Sequence, residues 1–297
     1  MKKINYVMCI IFFLILHFGL ENVLAQQRKV LYFGGTQSPS PELQEIVDDL
    51  CNTRTSQIPY NNLPKQTKYF VRIGERDYCV NFNPENKSYR LNNLAKLGTT
   101  PFVFITTPES IYGRSLLEIY QDIGYEAEEI ISYQRGKDMV AIIFRYPDEY
   151  SFLEEKNAKL PIKWAESVYI PTWQNMFSLF SMLALDKENP LALDDETKHF
   201  IVSFTAEGKQ RVEKTNYGKL KELQGDDWRY RDLLQKKMSV FKHFRGNGRT
   251  QNEVFDHEGT KGLGLPEFVG PNLILQRLPE IAVVDLGQLI IADTYSH

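Results

Sequence analysis

Several side chains along the chain are of types that can act together in catalysis. They comprise a guanidinium, two hydroxyls, an amide and two carboxylates: Arg72, Thr106, Thr107, Gln251, Glu253 and Glu267. A guanidinium forms forked, charge-assisted hydrogen bonds with phosphate oxygens. A carboxylate stabilises positive charge that develops in a transition state. The set could therefore bind an anionic substrate and promote a reaction that passes through a cationic intermediate.

The order of these segments resembles that in the ADP-ribosyltransferase toxins, which use an arginine, a Ser/Thr strand and a late Gln-x-Glu or Glu-x-Glu. Arg72 lies in Tyr69-Phe70-Val71-Arg72, and Thr106 and Thr107 end the apolar run that begins at Pro101. The resemblance implies that Arg72 holds the phosphates of NAD. It also implies that Thr106 and Thr107 shape the nicotinamide pocket.

The late segments supply the remaining roles that the resemblance implies. Gln251 and Glu253 have the Gln-x-Glu spacing, whereas Glu267 directly precedes the apolar pair Phe268-Val269. Gln251 would place the acceptor, and Glu253 would hold the ribose 2′-hydroxyl and stabilise the ribosyl transition state, with Glu267 as the alternative carboxylate. The implied substrate is NAD, and the acceptor is an unknown protein or small molecule.

Each of these residues also has an ordinary structural interpretation. Arg72 could pair on the surface with Glu75 or Asp77, which contributes less than about 1 kcal/mol. Thr106 and Thr107 are common strand-end residues. A non-enzymatic exported protein whose aromatic side chains contact a glycan or a protein partner is therefore the alternative function.

The first 25 residues have the pattern of a cleaved secretory signal peptide. Lys2 and Lys3 precede an apolar run from Tyr6 to Leu20, and small residues end the segment at Ala25. The run is shorter than the roughly 20 residues that span a bilayer. We expect a secreted or periplasmic protein with one domain over 26–297 and no membrane span in the mature chain.

Charge and cysteine content narrow the possible partners. The formal net charge is −3, and no basic block favours nucleic-acid binding. Removal of the leader leaves Cys51 and Cys79, which in an exported protein are expected to form a disulfide, with two buried free thiols as the alternative. Two cysteines without a nearby histidine at ligand spacing predict no metal site.

The elements that must position these residues form a mixed pattern. Apolar runs predict five strands: Val30–Phe33, Pro101–Thr106, Asp138–Phe144, Phe268-Val269 and Ile281–Leu286. Two further strand candidates, Tyr69–Ile73 and Tyr78–Phe82, are predicted to pair with each other as a hairpin. A helix is predicted from Pro41 to Leu50, and Ser110 is predicted to cap a second one.

The order of these elements favours an α+β fold, with a mixed sheet core and a helical insertion over about 164–244. Gly34-Gly35-Thr36 follows the first strand and precedes the first helix. Such a loop can present backbone N–H groups to a phosphate, but a plain turn is the simpler interpretation.

Overall fold

The structure is a computed structural model that describes residues 28–52, 67–123, 136–153, 166–172, 175–176, 179, 248, 250 and 264–288. The predicted leader, most of the predicted insertion and the Gln251–Glu253 segment lie outside these residues. No helix in the described ranges has the length and apolar character needed to span a bilayer.

The described residues form strands and short helices in the following order: β1 (Val30–Gly34), α1 (Pro41–Asn52), β2 (Phe70–Glu75), α2 (Arg76–Cys79), β3 (Val80–Asn83), β4 (Ser88–Leu91), β5 (Phe102–Ile105), a 3₁₀ turn (Pro108–Ile111), α3 (Leu116–Asp122), β6 (Asp138–Arg145), β7 (Ser151–Leu153), β8 (Ser167–Tyr169), β9 (Phe268–Pro271), a 3₁₀ turn (Leu275–Arg277) and β10 (Glu280–Gln288). The α+β fold class is confirmed.

The first sheet has the strand order β1-β10-β6-β2 and is antiparallel throughout. Its two central strands, β6 and β10, are buried along most of their length. The near-continuous apolar run Met139–Phe144 suits this position, because a strand covered on both faces needs apolar residues in consecutive positions rather than alternate ones. The strands predicted over 30–33, 138–144 and 281–286 are confirmed.

The second sheet has the order β5-β9-β8-β7, with β7 and β8 parallel and the other pairs antiparallel. An aromatic cluster fills the space between the two sheets: Phe70, Phe144, Tyr146, Phe152 and Phe268. Gly270 on β9 is required here, because a Cβ atom would lie only 2.4 Å from the Tyr146 hydroxyl oxygen. That hydroxyl donates to the Pro271 carbonyl at 2.8 Å and ties the sheets together.

The opposite face of the first sheet is covered by α1. Its apolar residues recur at helical spacing, and all of them are buried against that face: Leu43, Ile46, Val47 and Leu50. The Ser40 hydroxyl accepts a hydrogen bond from the Leu43 N–H at 3.2 Å and so caps the first turn, with Pro41 at the position where a missing N–H costs nothing. The predicted helix is confirmed.

A buried carboxylate fixes the loop between β1 and α1. Oε2 of Glu280 accepts hydrogen bonds from the Ser40 N–H at 2.9 Å and the Tyr69 hydroxyl at 2.8 Å. Its Oε1 lies 3.2 Å from Nε of Arg145, which also pairs with Asp148. Burial pushes the pKa of the Glu280 carboxyl upward, but the hydrogen bonds and the Arg145 charge outweigh this effect and hold the pKa below its ordinary value.

The glycine loop that follows β1 is a turn packed on the chain before β10. Thr36 and the next residue donate their N–H groups to the carbonyls of Leu278 and Pro279 at 3.0 and 2.9 Å. Gly35 has φ +139°, and a Cβ atom there would lie 2.2 Å from the Pro279 carbonyl oxygen. Because these two N–H groups are used internally, the loop has the character of a turn rather than a phosphate cradle.

Two local predictions are wrong. Strand β2 pairs with β6 rather than with β3, and the chain between β2 and β3 forms the short helix α2. The hairpin is instead β3–β4, one step later.

The second predicted helix, α3, is capped by Ser115 rather than by Ser110. The Ser115 hydroxyl accepts from the Glu118 N–H at 3.2 Å, and the Glu118 carboxylate accepts from the Ser115 N–H at 2.6 Å. Ser110 lies in a 3₁₀ turn instead.

The expected disulfide is absent: Cys51 and Cys79 are both free thiols. Cys79 is buried in the core between the two sheets, whereas Cys51 packs against the cluster under α1. The first sheet lies between these clusters, and a disulfide requires Cα atoms within about 7 Å. Burial raises the pKa of the Cys79 thiol to about 12, so it remains protonated at neutral pH.

We therefore expect the melting temperature of the chain from residue 26 onward to be the same with and without a reducing agent. A disulfide that closed a loop of about 28 residues would contribute about 3 kcal/mol, and its reduction would lower the melting temperature by roughly 6 °C or more. Differential scanning calorimetry in both buffers distinguishes these results, and such a fall would contradict the free-thiol structure.

The Glu280 network makes a second prediction about stability. Glu280→Gln should lower the free energy of unfolding by about 3 kcal/mol at pH 7. This is the low end of the cost of leaving a buried charge unpaired, because Arg145 still pairs with Asp148. The pKa of Glu280 is lowered in the folded state, so its stabilisation is present above its ordinary pKa and is lost as the pH falls through the folded value. Urea unfolding should show that Glu280→Gln lowers the free energy of unfolding less at acidic pH than at pH 7.

The exposed carboxylate Glu85 supplies the matched control, since Glu85→Gln removes a charge without a buried partner. An equal loss of stability in both variants, or a cost in Glu280→Gln that does not change with pH, would contradict the assigned role of Glu280.

Candidate functional site

Two of the predicted site segments meet where β5 ends and β9 begins. The register pairs Phe104 with Val269 and Ile105 with Phe268. One further step along both strands reaches Thr106 and Glu267. The paired strands thus place Thr106 and Glu267, about 160 positions apart in the chain, one residue beyond the last paired positions, Ile105 and Phe268.

At Thr106 the chain leaves β9 and pairs with β2. The Val71 N–H donates to the Thr106 carbonyl at 2.8 Å, and the Thr106 N–H donates to the Val71 carbonyl at 3.0 Å. The Thr106 hydroxyl lies 2.8 Å from the Ser110 hydroxyl, which donates to the Thr107 carbonyl at 2.6 Å. Thr106 and Thr107 are both buried, and the hydroxyl pair holds the turn after β5 in one conformation.

The Glu267 carboxyl is buried, and its pKa is strongly perturbed. Only 8% of it is exposed, and its Oε2 has no hydrogen-bond partner within the described ranges. Burial raises the pKa of the carboxyl from 4.5 to about 8, because the charged form is poorly solvated there. Ionisable groups with such shifts occur preferentially at functional sites, although burial alone can also produce them.

The face of the sheet on which Glu267 lies follows from its neighbours. Leu265, two residues earlier, is buried in the cluster under α1, whereas Phe268 is buried in the core between the sheets. Alternation along an extended chain places Glu267 on the side of Leu265. Val71 belongs to the same cluster, and its partner Thr106 shares its side. Thr106 and Glu267 therefore lie on one face.

Arg72 lies on the neighbouring strand but on the other face. Its Nη1 donates to the Phe104 carbonyl at 2.9 Å, so it holds β5 against β2. Phe70 belongs to the core between the sheets and Val71 to the cluster under α1, which places Arg72 on the side of Phe70. Burial raises the pKa of the Tyr146 hydroxyl in that core, and the Arg72 charge opposes the effect. The phosphate-binding role of Arg72 stays a prediction.

The predicted Gln251 and Glu253 lie outside the described residues, but the chain enters and leaves that segment beside Glu267. Thr250 donates its N–H to the Leu265 carbonyl at 3.0 Å, and Gly264 donates to the Thr250 carbonyl at 3.1 Å. Glu267 donates its own N–H to the Gly248 carbonyl at 3.0 Å. The ends of the 251–263 segment are thus fixed at the site.

In the part of the chain that the structure describes, no group of three His, Cys, Asp or Glu side chains could hold a metal ion. Two cavities lined by described residues lie away from this site, around the β3–β4 hairpin. The site is a strand-end junction with a neutral buried acid and a pair of hydroxyls.

Comparison of the chain with protein-family models, with curated proteins and with solved structures finds no match.

Ser110 is a site residue that the sequence interpretation assigned to a different role. It was expected to cap a helix, but its hydroxyl bonds to Thr106 instead. The spacing of four residues between Thr106 and Ser110, across Pro108, was the available signal, since a tight turn at the proline brings the two hydroxyls together.

Burial of the Glu267 carboxyl predicts a pH dependence of the free energy of unfolding, whether or not Glu267 is catalytic. Its pKa is raised in the folded state, so the unfolded chain releases this proton first and the free energy of unfolding falls as the pH rises from about 4.5 to 8. The slope is at most about 1.4 kcal/mol per pH unit. Glu267→Gln removes this titration. The free energy of unfolding of the variant, relative to that of the unsubstituted protein, should therefore rise with pH.

Urea unfolding of both proteins at several pH values measures this difference. Parallel curves for the two proteins between pH 5 and 8 would contradict a buried, protonated Glu267.

Proposed function

We propose that the protein is an exported ADP-ribosyltransferase-like enzyme whose catalytic carboxylate is Glu267. The observation that carries the proposal is the meeting of the β5 end with the β9 start, which brings a hydroxyl pair and a buried acid to one face. These are two of the three elements in the resemblance, and they lie far apart in the chain.

The proposed reaction transfers ADP-ribose from NAD to an acceptor that carries a nucleophilic N–H or O–H. The bond between nicotinamide and the ribose C1′ breaks, nicotinamide leaves with the bonding electrons, and the acceptor atom forms the new bond to C1′ and releases its proton. With water as acceptor the products are ADP-ribose, nicotinamide and a proton. The ribosyl group is positively charged between these events, so a nearby anion lowers the barrier.

Glu267 suits this role better than Glu253 on the geometry of the described residues. It lies one residue beyond the paired positions Ile105 and Phe268, as Thr106 does, and its buried Oε2 has no hydrogen-bond partner within the described residues. Binding of a hydroxyl donor would give the buried oxygen the partner that it lacks and would favour the ionised form. Thr106 and Thr107 would form the pocket wall, and Gln251 would place the acceptor.

Arg72 takes a positioning role in this proposal. Its hydrogen bond to the Phe104 carbonyl fixes β5 two residues before Thr106. Loss of that bond would loosen the strand that carries the hydroxyl pair, whereas a direct contact with NAD phosphates would require the guanidinium to reach the other face. Arg72→Lys therefore separates the two roles, since a phosphate contact predicts mainly a higher KM.

The activity test is nicotinamide release from NAD by purified protein spanning residues 26–297. We expect release whose kcat/KM rises with pH toward a midpoint near 8, because the ionised carboxylate is the active form and burial raises its pKa to about 8. Glu267→Gln should lower the rate by about 10²–10³, the usual effect of removing one stabilising group, and should abolish the pH dependence.

Two substitutions serve as controls. Glu85→Gln removes an exposed carboxylate and should leave the rate unchanged, while Glu253→Gln tests the alternative carboxylate. No nicotinamide release, or release that survives Glu253→Gln and Glu267→Gln together, would contradict the proposal.

A further inference from the structure

The β3–β4 ribbon has one face toward the core and one face toward solvent. Val80 and Leu91 are paired and buried in the core between the sheets. The next pair, Asn81 and Arg90, is exposed and lies on the opposite face. Asn92 follows on the side of Arg90. The outer face therefore presents an amide and a guanidinium, those of Asn81 and Arg90, whereas the Asn92 amide N–H groups bond within the fold.

A cavity of about 470 Å³ lies over this outer face. Its polar lining comes from the ribbon, from the preceding helix α2 and from the following turn: Asp77, Tyr78, Asn81, Arg90, Asn92 and Asn93. The volume is within the range of small-molecule sites. None of the residues proposed for catalysis lines it, so the inference is independent of the proposed function.

The aromatic wall of the cavity is held in place although it is exposed. Nδ2 of Asn92 donates to the carbonyls of Asp77 and Tyr78, both at 2.8 Å. The Tyr78 hydroxyl accepts from the Lys96 N–H at 3.1 Å, while 44% of the residue stays exposed. The ring is therefore fixed at its backbone and at its hydroxyl, which reduces the entropy lost when a ligand packs against it.

A second cavity of about 290 Å³ continues the groove. It shares Arg90 and Asn93 with the first cavity and extends to Tyr32 and Gln276. Nε2 of Gln276 donates to Oδ1 of Asn93 at 3.0 Å, which bridges the two parts. The two adjoining cavities are taken together as one groove, which has a tyrosine in each part, Tyr78 in the first and Tyr32 in the second.

We infer that this groove binds a neutral oligosaccharide. Amide side chains both donate and accept hydrogen bonds, as sugar hydroxyls do, and a tyrosine ring offers an apolar face for the C–H face of a sugar ring. The lining carries one acidic and one basic side chain, Asp77 and Arg90, and Asp77 also pairs with Arg76 at 3.3 Å, so the lining has no cluster of like charges that would select a polyanion. The length and the two aromatic walls fit a chain of sugar units rather than one.

The test uses saturation-transfer NMR and calorimetry on protein spanning residues 26–297. The probes are cellotetraose, chitotetraose, maltotetraose and mannotetraose, with a heparin tetrasaccharide as the anionic comparison. We expect at least one neutral probe to bind. The double substitution Asn81→Ala and Arg90→Ala, at exposed positions, should weaken that binding by about tenfold or more, as the loss of two hydrogen bonds implies.

Phe82→Ala is the matched control, because Phe82 is 52% exposed and lines neither cavity. It should leave binding unchanged, and the melting temperature of each variant checks that the fold is intact. Absence of binding by all four neutral probes, an equal effect of Phe82→Ala, or preferential binding of the heparin fragment would overturn the inference.

Discussion

Two backbone hydrogen bonds between Val71 and Thr106 join the two sheets and determine where the candidate site lies. Strand β5 belongs to the second sheet through β9, yet its end pairs with β2 of the first. The Arg72 guanidinium reinforces this junction through the Phe104 carbonyl. Without the junction, the Thr106 hydroxyl would have no fixed relation to Glu267. A site made of strand ends depends on backbone pairing more than on its own side-chain contacts.

Two of the three buried carboxyls among the described residues, those of Glu280 and Glu267, show how environment sets their behaviour. Glu280 is surrounded by donors and a guanidinium, so it stays ionised and holds the β1–α1 loop in place. Glu267 has an unpartnered oxygen, so burial dominates and the neutral form is favoured. The first residue stabilises the fold at neutral pH, whereas the second weakens it there. An unfavourable carboxyl of this kind is what a functional role would explain.

Apolar patterns in the sequence predicted most strands of the first sheet but not all of their partners. The run Met139–Phe144 has few alternatives to a buried strand, whereas nothing in Tyr69–Ile73 specifies that it pairs with β6, about 70 residues later. The Ser115-x-x-Glu118 capping box is present in the sequence and caps α3, whereas the prediction placed the cap at Ser110. Pairing and capping depend on the turns between elements, which periodicity does not report.

The candidate site was predictable in composition but not in arrangement. Thr106, Thr107 and Glu267 were identified from residue types, while the face that Arg72 occupies depends on strand alternation in the folded sheet. The disulfide prediction used the expected compartment alone and therefore missed the sheet that separates Cys51 from Cys79. The sequence did not predict the groove that we propose binds a saccharide. Its residues lie on and around the β3–β4 ribbon, whereas the predicted hairpin lay one strand earlier.

The position of β9 and β10 has a consequence for how the chain acquires its structure. Both are interior strands of their sheets, although they come from the last 30 residues of the chain. Neither sheet can close during synthesis until β9 and β10 have emerged from the ribosome, since β1 and β6 find their common neighbour only in β10. Such long-range pairing folds slowly, so the earlier strands wait without their central partner for most of the folding process.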